Sequence, residues 1–518
     1  MRKAITIGLM AVVLLSLNSC FKVGPNFRPP TPPPKCEWID ANDKHVKSAE
    51  PLYTWWKVFE DPLLDHLILT AYRQNLPLKV ACFRIMEARA RLGIAIGEFF
   101  PQQQEGFGSA TRWKLSENQA NIGPMPDIYF QDYQLGLQVA WELDFWGRFR
   151  RAIESEGALV SASIADYDDV LVLLLSDVAA VYVTIRTTQE LIEIVKNNIK
   201  LQKRSLDITE ANFEGGFVSE LDVKQATTLL RGTEARLPDL QRQLRQAENA
   251  MSVLLGIVPQ DLECLFDGKA SIPSASADIL VGMPESLLQR RPDIRRALYD
   301  AAAQSARIGV AFSDFFPQLF LSGMIGYRSS GNSMQNPNEG GGNLFAKDSL
   351  TFNYGTSFVW PLLNYGRIYN SVRLERARFC QLVYNYKNIV LQAYQEVEDG
   401  IVAFLKAHKQ ETYLSESVKA AKRSVELANT QYVEGLADYT RVLNTQQAQL
   451  AEEERHALVR GEIAFGLIAT YKALGGGWQL RCRPIDASDF SDAASVKETI
   501  EETPIDDEKH EQIRKTET

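Results

Sequence analysis

The chain has 518 residues and a net charge of −9, and its pI near 5.4 argues against a nucleic-acid-binding surface. Its six cysteines show no CxxC spacing, so they indicate neither a zinc site nor a disulfide framework. There is no Walker loop, GxSxG or HExxH motif, and the five histidines are dispersed without a recognisable ligand spacing. We therefore expect no enzyme activity, no metal and no cofactor.

Residues 1–19 have the features of a secretory signal peptide. Arg2 and Lys3 give a positive start, and the apolar run that follows is shorter than the roughly 20 residues that a membrane-spanning helix needs. The run ends in Leu-Asn-Ser before Cys20, which resembles the bacterial lipobox and predicts lipidation of Cys20. Phe21, rather than Asp, after the cysteine predicts sorting to the outer membrane. The alternative is an ordinary signal peptide followed by an incidental cysteine.

Almost all of the remaining chain consists of two copies of one unit. Residues 87–102 (EARARLGIAIGEFFPQ) recur as residues 303–318 (AQSARIGVAFSDFFPQ), and Gly216 recurs 219 residues later as Gly435. Such self-similarity fixes the architecture before any other pattern is considered. The predicted organisation is a proline-rich N-terminal arm at 20–60, repeat 1 at 61–256, a linker at 257–289, repeat 2 at 290–477 and a C-terminal segment at 478–518 whose charged tail is disordered.

Each copy contains two segments with a strand pattern, at about 102–113 and 131–144 in repeat 1 and at about 317–328 and 350–363 in repeat 2. In the second strand of each copy, apolar side chains alternate with small or polar ones. About ten such residues suffice for a tilted strand to cross an outer membrane. Aromatic residues crowd the strand ends, and we interpret them as an interfacial girdle rather than the core of a sandwich: Trp113, Tyr129, Phe130, Phe145, Trp146, Phe345 and Tyr365.

A long helix with heptad spacing follows each strand pair. From Leu171 to Phe213, apolar residues recur at intervals of three and four, the pattern of coiled-coil packing. A helix that begins at Arg148 would be about 100 Å long, at 1.5 Å per residue. Glycine permits the left-handed cap that ends a helix, and a return helix follows each glycine. Each copy therefore predicts a helical hairpin with its tip near Gly216 or Gly435.

Two strands per copy give about four strands per chain, which is too few to close a barrel in a membrane. An open edge in lipid leaves backbone groups unpaired at a cost of several kcal/mol each, and single-chain barrels begin at eight strands. We therefore expect the chain to share its barrel with other copies of itself in a cyclic oligomer. The pattern alone does not give the number of subunits.

In these features the chain resembles the outer-membrane factors, the TolC-like ducts of Gram-negative efflux and secretion machines. It is most similar to their lipoprotein (NodT-like) branch, which serves resistance–nodulation–division (RND) pumps. The marks of that branch are residues 20–27 (CFKVGPNF), the RRPDIR segment at 290–295, an ARxGxAxxxxFP box in both copies and the paired glycines at the hairpin tips. The resemblance covers about residues 20–477.

The resemblance implies a mixed membrane protein. Three chains of four strands would close a trimeric 12-stranded outer-membrane β-barrel, and a long α-helical coiled-coil barrel would continue it into the periplasm, with the arm, the linker and the C-terminal segment forming an equatorial belt. The homotrimer would be the exit duct of a tripartite efflux pump, lipid-anchored in the outer membrane, which passes small molecules from an inner-membrane RND-type pump and a periplasmic adaptor to the exterior. The alternatives are an exit duct for type I protein secretion and a lipid-anchored periplasmic coiled-coil scaffold.

The resemblance also assigns a functional site to the hairpin tips, which narrow the duct at rest and dock the adaptor. The family's second tip commonly carries acidic residues where this chain has Arg441 and Asn444. We hypothesise that Arg441 pairs with Asp222, or with another tip acid, to hold the closed state; the alternative is a solvated surface pair. The residues assigned to the tips are Gly216, Ser219, Leu221, Asp222, Gly435, Asp438, Tyr439, Thr440, Arg441 and Asn444.

The RRPDIR segment is interpreted as structural. Pro292 suits the first turn of a helix, and Asp293 complements the positive end of the helix dipole. The surrounding arginines, Arg291 among them, are expected to tie the equatorial belt together.

Overall fold

A computed structural model of the protein describes residues 22–35, 37–48, 53–116, 118, 129–262, 266, 271–273, 278–281, 290–331 and 343–482. The predicted signal peptide at 1–19, the predicted lipidation site Cys20, most of the linker and the tail beyond Cys482 lie outside the described residues.

Long helices dominate the described residues, and short or medium strands lie between them. In chain order the elements are β1 (Val46–Ser48), α1 (Pro62–Gln74), α2 (Leu76–Gly97), β2 (Gln103–Lys114), β3 (Tyr129–Leu143), α3 (Arg148–Glu214), α4 (Glu220–Glu234), α5 (Arg236–Leu255), β4 (Ile279–Val281), α6 (Pro292–Ser313), β5 (Gln318–Gly331), β6 (Leu350–Val359), α7 (Arg367–Val433) and α8 (Tyr439–Ala473). Short 3-10 helices lie at Trp55–Phe59, Lys347–Ser349 and Trp478–Cys482.

The chain folds as two compact units, and each of them contains parts of both repeats. Of the described residues, the first unit contains those within 1–31, 84–164 and 296–387, and the second contains those within 32–83, 165–295 and 388–518. The units therefore do not coincide with the predicted repeat boundaries, because equivalent elements of the two copies pack together.

The first unit contains a four-stranded antiparallel sheet in the order β2-β3-β5-β6. The two copies meet where β3 pairs with β5. Leu137 on β3 lies opposite Ile325 on β5, which in turn lies opposite Phe352 on β6, so the three residues form one row across the sheet. Opposite residues in a sheet share one face. Leu137, Ile325 and Phe352 are 62%, 53% and 65% exposed, so the sheet presents an apolar face that this chain does not cover. Among the described residues the sheet is open, with β2 and β6 at its edges.

The helices α3 and α7 have 67 residues each and begin at equivalent positions of the two copies. In the second unit, Leu171, Val178 and Ile185 of the predicted heptad on α3 are fully buried. Within the described residues, α3 is the one helix long and apolar enough to cross a bilayer, but 67% of its apolar stretch is buried inside the protein. This burial matches a core helix.

The return helix differs between the two copies. In repeat 2 it is the continuous α8, whereas in repeat 1 it is divided into α4 and α5 at Ala235. Pro238 has no N–H to donate to the carbonyl of Glu234, and its ring crowds that carbonyl. Repeat 2 has Ala457 at the equivalent position, so α8 runs on without a break.

A second, smaller sheet joins the N-terminal arm to the linker in the second unit. Strands β1 and β4 are parallel, with Val46 opposite Ile279 and Ser48 opposite Val281. The arm is also held by Lys35, whose Nζ lies 2.6 Å from Glu398 on α7, and by Trp38, whose ring meets that of Tyr394 edge to face. The proline-rich arm is therefore extended backbone that is tied to α7 by side chains.

Candidate functional site

The two hairpin tips have the same backbone geometry. In the first, the N–H of Phe217 donates to the carbonyl of Asn212 over 2.8 Å, and that of Gly216 donates to Phe213 over 2.9 Å. In the second, Leu436 donates to Gln431 and Gly435 donates to Tyr432, over 2.8 and 3.0 Å. This pair of bonds is the Schellman motif, in which the first residue after the helix C-cap has a left-handed backbone conformation. Gly216 and Gly435 supply it with φ values of 73° and 75°.

The first tip resumes as a helix through a capping interaction. Both the N–H and the hydroxyl of Ser219 donate to one carboxylate oxygen of Asp222, over 3.1 and 3.0 Å. These two bonds link Ser219, the residue before α4, to Asp222, the third residue of α4. They satisfy hydrogen-bond donors that have no partner within the helix. In the second tip the equivalent residues are Asp438 and Arg441, and Arg441 cannot accept such a bond.

The structure does not contain the predicted ion pair between Arg441 and Asp222. The guanidinium of Arg441 donates to Gln431 over 3.3 Å instead. The carboxylate of Asp222 is already engaged by Ser219. Within the described residues of the single chain Arg441 makes no salt bridge to any acid, and a pairing in the closed state of the assembled duct stays a prediction.

We predict that Asp222→Ala weakens the first tip, whereas the matched change Arg441→Ala in the second tip leaves its stability unchanged. Losing a capping interaction costs about 1 kcal/mol, while an exposed arginine with one long hydrogen bond contributes little. Hydrogen exchange of the first turns of α4 and α8 measures both effects. Equal loss of protection in both variants would contradict this account of Asp222.

A compact cluster of buried residues lies directly behind the tips. Its members, the tip cluster, are Ala226, Ala428, Tyr432, Tyr439 and Val442. The rings of Tyr432 and Tyr439 meet edge to face with centroids 5.6 Å apart. Burial, together with the neighbouring Tyr432 and Asp222, raises the pKa of Tyr439 to about 12. Tyr439 is therefore a neutral packing residue, in contrast to the exposed Asp438, Thr440, Arg441 and Asn444 around it.

The outer surface of the tips is apolar as well as polar. Phe217 and Leu436 occupy equivalent positions one residue after each capping glycine and are 83% and 72% exposed. Leu221, on the first turn of α4, is also exposed. Sequence reasoning named Leu221 but missed Phe217 and Leu436, although the repeat offset aligns these two apolar residues beside the two glycines.

Behind the tip cluster, polar residues are buried between α3 and α8. Gln446 is fully buried and donates to the hydroxyl of Ser205 over 2.7 Å. Asn198 donates to Glu453 over 2.7 Å, and Tyr432 on α7 donates to Thr209. Polar pairs of this kind fix the register of packed helices at some cost in stability.

A groove lies beside the first tip, between α4 and α8. It has a volume of about 590 Å³, and Leu221 and Lys224 are at its tip end. Leu229, Leu443 and Leu450 give the groove an apolar floor. Because it opens next to the exposed apolar residues of the tip, the tip and the groove form one continuous surface.

The predicted equatorial motif is an ionic network in the second unit. Arg291 donates to Asp293 over 2.7 Å, to Glu396 on α7 over 2.6 Å and to the carbonyl of Ala473 over 2.9 Å. Pro292 is the first residue of α6, and Asp293 accepts the N–H of Ile294. The motif thus ties the start of α6 to α7 and to the end of α8.

A second network joins the last arginine of RRPDIR to the C-terminal segment. Asp168 on α3 has a fully buried side chain that contacts both Arg295 and Arg481. Its distance to Nε of Arg481 is 2.8 Å. The ring of Trp478 lies beneath both guanidinium groups, 4.4 Å from that of Arg295. Sequence reasoning missed Asp168, because nothing local distinguishes it from other acids on α3.

The N-terminal segment is held at the start of α3 in the first unit. Arg151, which is fully buried, donates to the carbonyls of Val23 and Gly24 and to the side chain of Asn26, over 3.0 to 3.1 Å. A side chain on Gly309 would meet Arg151 at 2.8 Å. The glycine of the ARxGxA box in repeat 2 therefore makes room for this arginine, which binds the VGP segment.

The described part of the chain contains no group of three histidine, cysteine, aspartate or glutamate residues that could hold a metal ion. Its described cysteines, Cys82, Cys380 and Cys482, are free and exposed.

The chain is similar to known outer-membrane efflux and export proteins in sequence and in structure. The profile of the family described as "Outer membrane efflux protein" matches residues 67–257 and 283–476. The pyoverdine export outer membrane protein OpmQ of Pseudomonas putida is 29% identical over 87% of this chain and 94% of its own length. The toluene efflux pump outer membrane protein TtgI of Pseudomonas putida is 29% identical over 90% of this chain and 97% of its own length. The solved structure of the outer-membrane channel OprN has a TM-score of 0.81 and 30% identity, and covers 88% of this chain and 99% of that one.

Proposed function

The chain belongs to the outer membrane efflux protein family, and from this membership we propose that it is the exit duct of a tripartite efflux pump. Small molecules pass through it to the exterior from an inner-membrane RND-type pump and a periplasmic adaptor. The observation that carries the proposal is the pairing, in one chain, of an open sheet with an uncovered apolar face and two 67-residue helices that end in matched tips.

The sheet supports assembly as a homotrimer in the outer membrane. Its apolar rows suit contact with lipid, but β2 and β6 leave unpaired backbone groups that cost several kcal/mol each in lipid. Joining β2 of one copy to β6 of the next satisfies both edges and needs a closed ring. Three copies of four strands give the 12-stranded barrel that the family resemblance implies.

Lipidation of Cys20 is part of the same proposal. Two contacts fix the first described residues against the start of α3. Arg151 donates to the carbonyl of Val23, and Lys22 forms an ion pair with Glu154. That position lies close to the end of β3, where Trp146 donates to Pro317 and stacks on Phe316. The aromatic residues here fit the girdle at a membrane interface, so an anchor on Cys20 would begin beside the membrane surface.

We propose that the tips are the periplasmic end of the duct, where the resting channel is narrow and the adaptor docks. Phe217, Leu221 and Leu436 give an exposed apolar surface at this end, and the groove beside α4 extends it. Exposed apolar patches of this kind mark protein interaction sites. Arg441, Thr440 and Asn444 are the exposed polar residues of the second tip that would face the constriction.

The cargo is set by the inner-membrane partner. The relatives named for pyoverdine export and for toluene efflux are equally similar to this chain, at 29% identity. Among the described residues no group of histidine, cysteine, aspartate or glutamate side chains could hold a metal ion for a passing solute. We therefore assign the duct wall no substrate selection of its own.

We predict that deleting the protein sensitises the cell to dyes, detergents and antibiotics, and that the wild-type chain restores resistance. The pump would otherwise deliver its cargo into the periplasm instead of the exterior. Minimum inhibitory concentrations measure the effect. Unchanged sensitivity in the deletion strain would refute the efflux function.

The same strain tests the tips. Leu436→Asp should fail to restore resistance although the protein reaches the outer membrane in normal amounts, because a charge opposes apolar docking. Val258→Asp is the matched control, since Val258 is an apolar residue of similar exposure outside the tips, and it should restore resistance fully.

A further inference from the structure

Three of the five histidines, which are widely separated in the sequence, lie in one cluster of the second unit. His45 precedes β1, His408 is on α7 and His456 is on α8. The rings of His45 and His408 meet edge to face with centroids 5.3 Å apart. The sequence spacing of the histidines, which shows no ligand pattern, therefore gives no sign of this contact.

Charged groups of alternating sign surround these rings. Asp278, next to β4, lies 3.7 Å from Nδ1 of His45 and 3.9 Å from Lys47. On the other side, Glu411 of α7 lies 3.1 Å from Nε2 of His456. Lys44 on the arm adds a positive charge that acts on His408. The cluster thus joins the arm, the linker, α7 and α8.

The surroundings of His408 favour its neutral form. Its ring stacks on the fully buried Phe404 with centroids 5.6 Å apart, and its buried Nδ1 has no hydrogen-bond partner among the described residues. Burial, with help from His45 and Lys44, lowers the pKa of His408, and Glu411 opposes this only in part. A positive charge on His408 would be desolvated by this packing and would lie against the ring of His45.

We propose that this cluster is an acid-sensitive clasp that holds the paired strands β1 and β4 against α7. Ile279 begins the pairing by donating to the carbonyl of His45 over 2.8 Å, so displacement of His45 opens the small sheet from its first bond. Charging the His408 ring places a positive charge between Phe404 and His45, where burial disfavours it. The proposal does not rest on the transport function, because the clasp is a property of the folded chain.

The direction of the pH effect follows from the lowered pKa of His408. The folded state prefers the neutral ring, so its contribution to stability is present above the ordinary histidine pKa of about 6.5 and is lost as the pH falls below it. The pair of Lys35 and Glu398, 2.6 Å apart, contains no histidine and holds the start of the arm on α7. Acid should therefore release β1 and β4 but not the whole arm.

Hydrogen exchange of the full-length protein in detergent tests the clasp. Amide protection would be compared at about pH 7.5 and about pH 5, on either side of the histidine range, with labelling times scaled to the intrinsic exchange rate. In the wild type, Val46–Ser48 and Ile279–Val281 should lose protection several-fold more at the lower pH than Ile39, whose N–H donates to Glu398 over 3.0 Å.

The variant His408→Gln should remove this pH dependence, because it removes the ring whose charged form the fold disfavours. The variant His45→Gln should reduce it, because His45 only adds to the effect of burial on His408. The control is His66→Gln, at a half-buried histidine on α1 whose pKa is lowered by burial and by Arg73, and it should keep the pH dependence. Loss of the pH dependence in His408→Gln supports the clasp. Its absence in the wild type, or its persistence in His408→Gln, overturns it.

Discussion

Replacing Asp168 with asparagine is expected to destabilise the protein by about 3 kcal/mol, because removal of one partner from a buried ionic network leaves the others uncompensated. Asp168 has no exposed side-chain surface and contacts both Arg295 and Arg481. Asparagine has nearly the same shape, so the change removes the charge without creating a cavity. Both arginines, stacked on Trp478, would then repel each other.

The expected result is a marked fall in the denaturant midpoint of the detergent-solubilised protein, followed by circular dichroism. The matched control is Glu193→Gln on the same helix, which removes an exposed carboxylate paired with Lys196 over 2.9 Å. An exposed pair one turn apart contributes less than about 1 kcal/mol. Equal midpoints for the two variants would show that the network around Asp168 contributes no more than a surface pair.

The hairpin tips were predictable because their causes are local. A glycine at the end of a heptad run allows the left-handed cap, and the repeat offset identified Gly216 and Gly435 together. The break at Pro238 was equally local, and the rule that proline interrupts a helix would have found it. The strand pattern likewise placed alternating side chains on two faces, and the structure has β3 at 129–143 where about 131–144 was expected.

The contacts that the sequence did not reveal join distant segments. Asp222 looked available for Arg441, but the N–H and hydroxyl of Ser219 compete for its carboxylate, and that competition depends on the backbone at the tip. His45 and His408 meet only because β1 pairs with β4 beside α7. An alternating or heptad pattern of apolar residues predicts which face of a strand or helix is apolar. It does not predict which residue of another element lies opposite that face.

Replacing Gly466 with leucine is expected to be as damaging as the loss of Asp168, through steric overlap. A Cβ at Gly466 on α8 would lie 2.8 Å from the backbone nitrogen of Phe404 on α7. One turn away, a Cβ at Gly400 would lie 2.6 Å from the hydroxyl of Thr470, so the two helices approach backbone to backbone at both positions. A flexible side chain can move aside, but a helix backbone moves only with its whole neighbourhood.

Overpacking a close helix contact costs about 1 to 3 kcal/mol, and more where neither backbone can yield. The control is Gly157→Leu on α3, where a Cβ has no neighbouring atom within 4 Å. There leucine should stabilise the helix by up to about 1 kcal/mol, because glycine is the weaker helix former. Thermal unfolding followed by tryptophan fluorescence should therefore give opposite shifts for the two variants. Equal shifts would mean that α7 and α8 can separate locally at little cost, which is also what an opening hairpin would require of them.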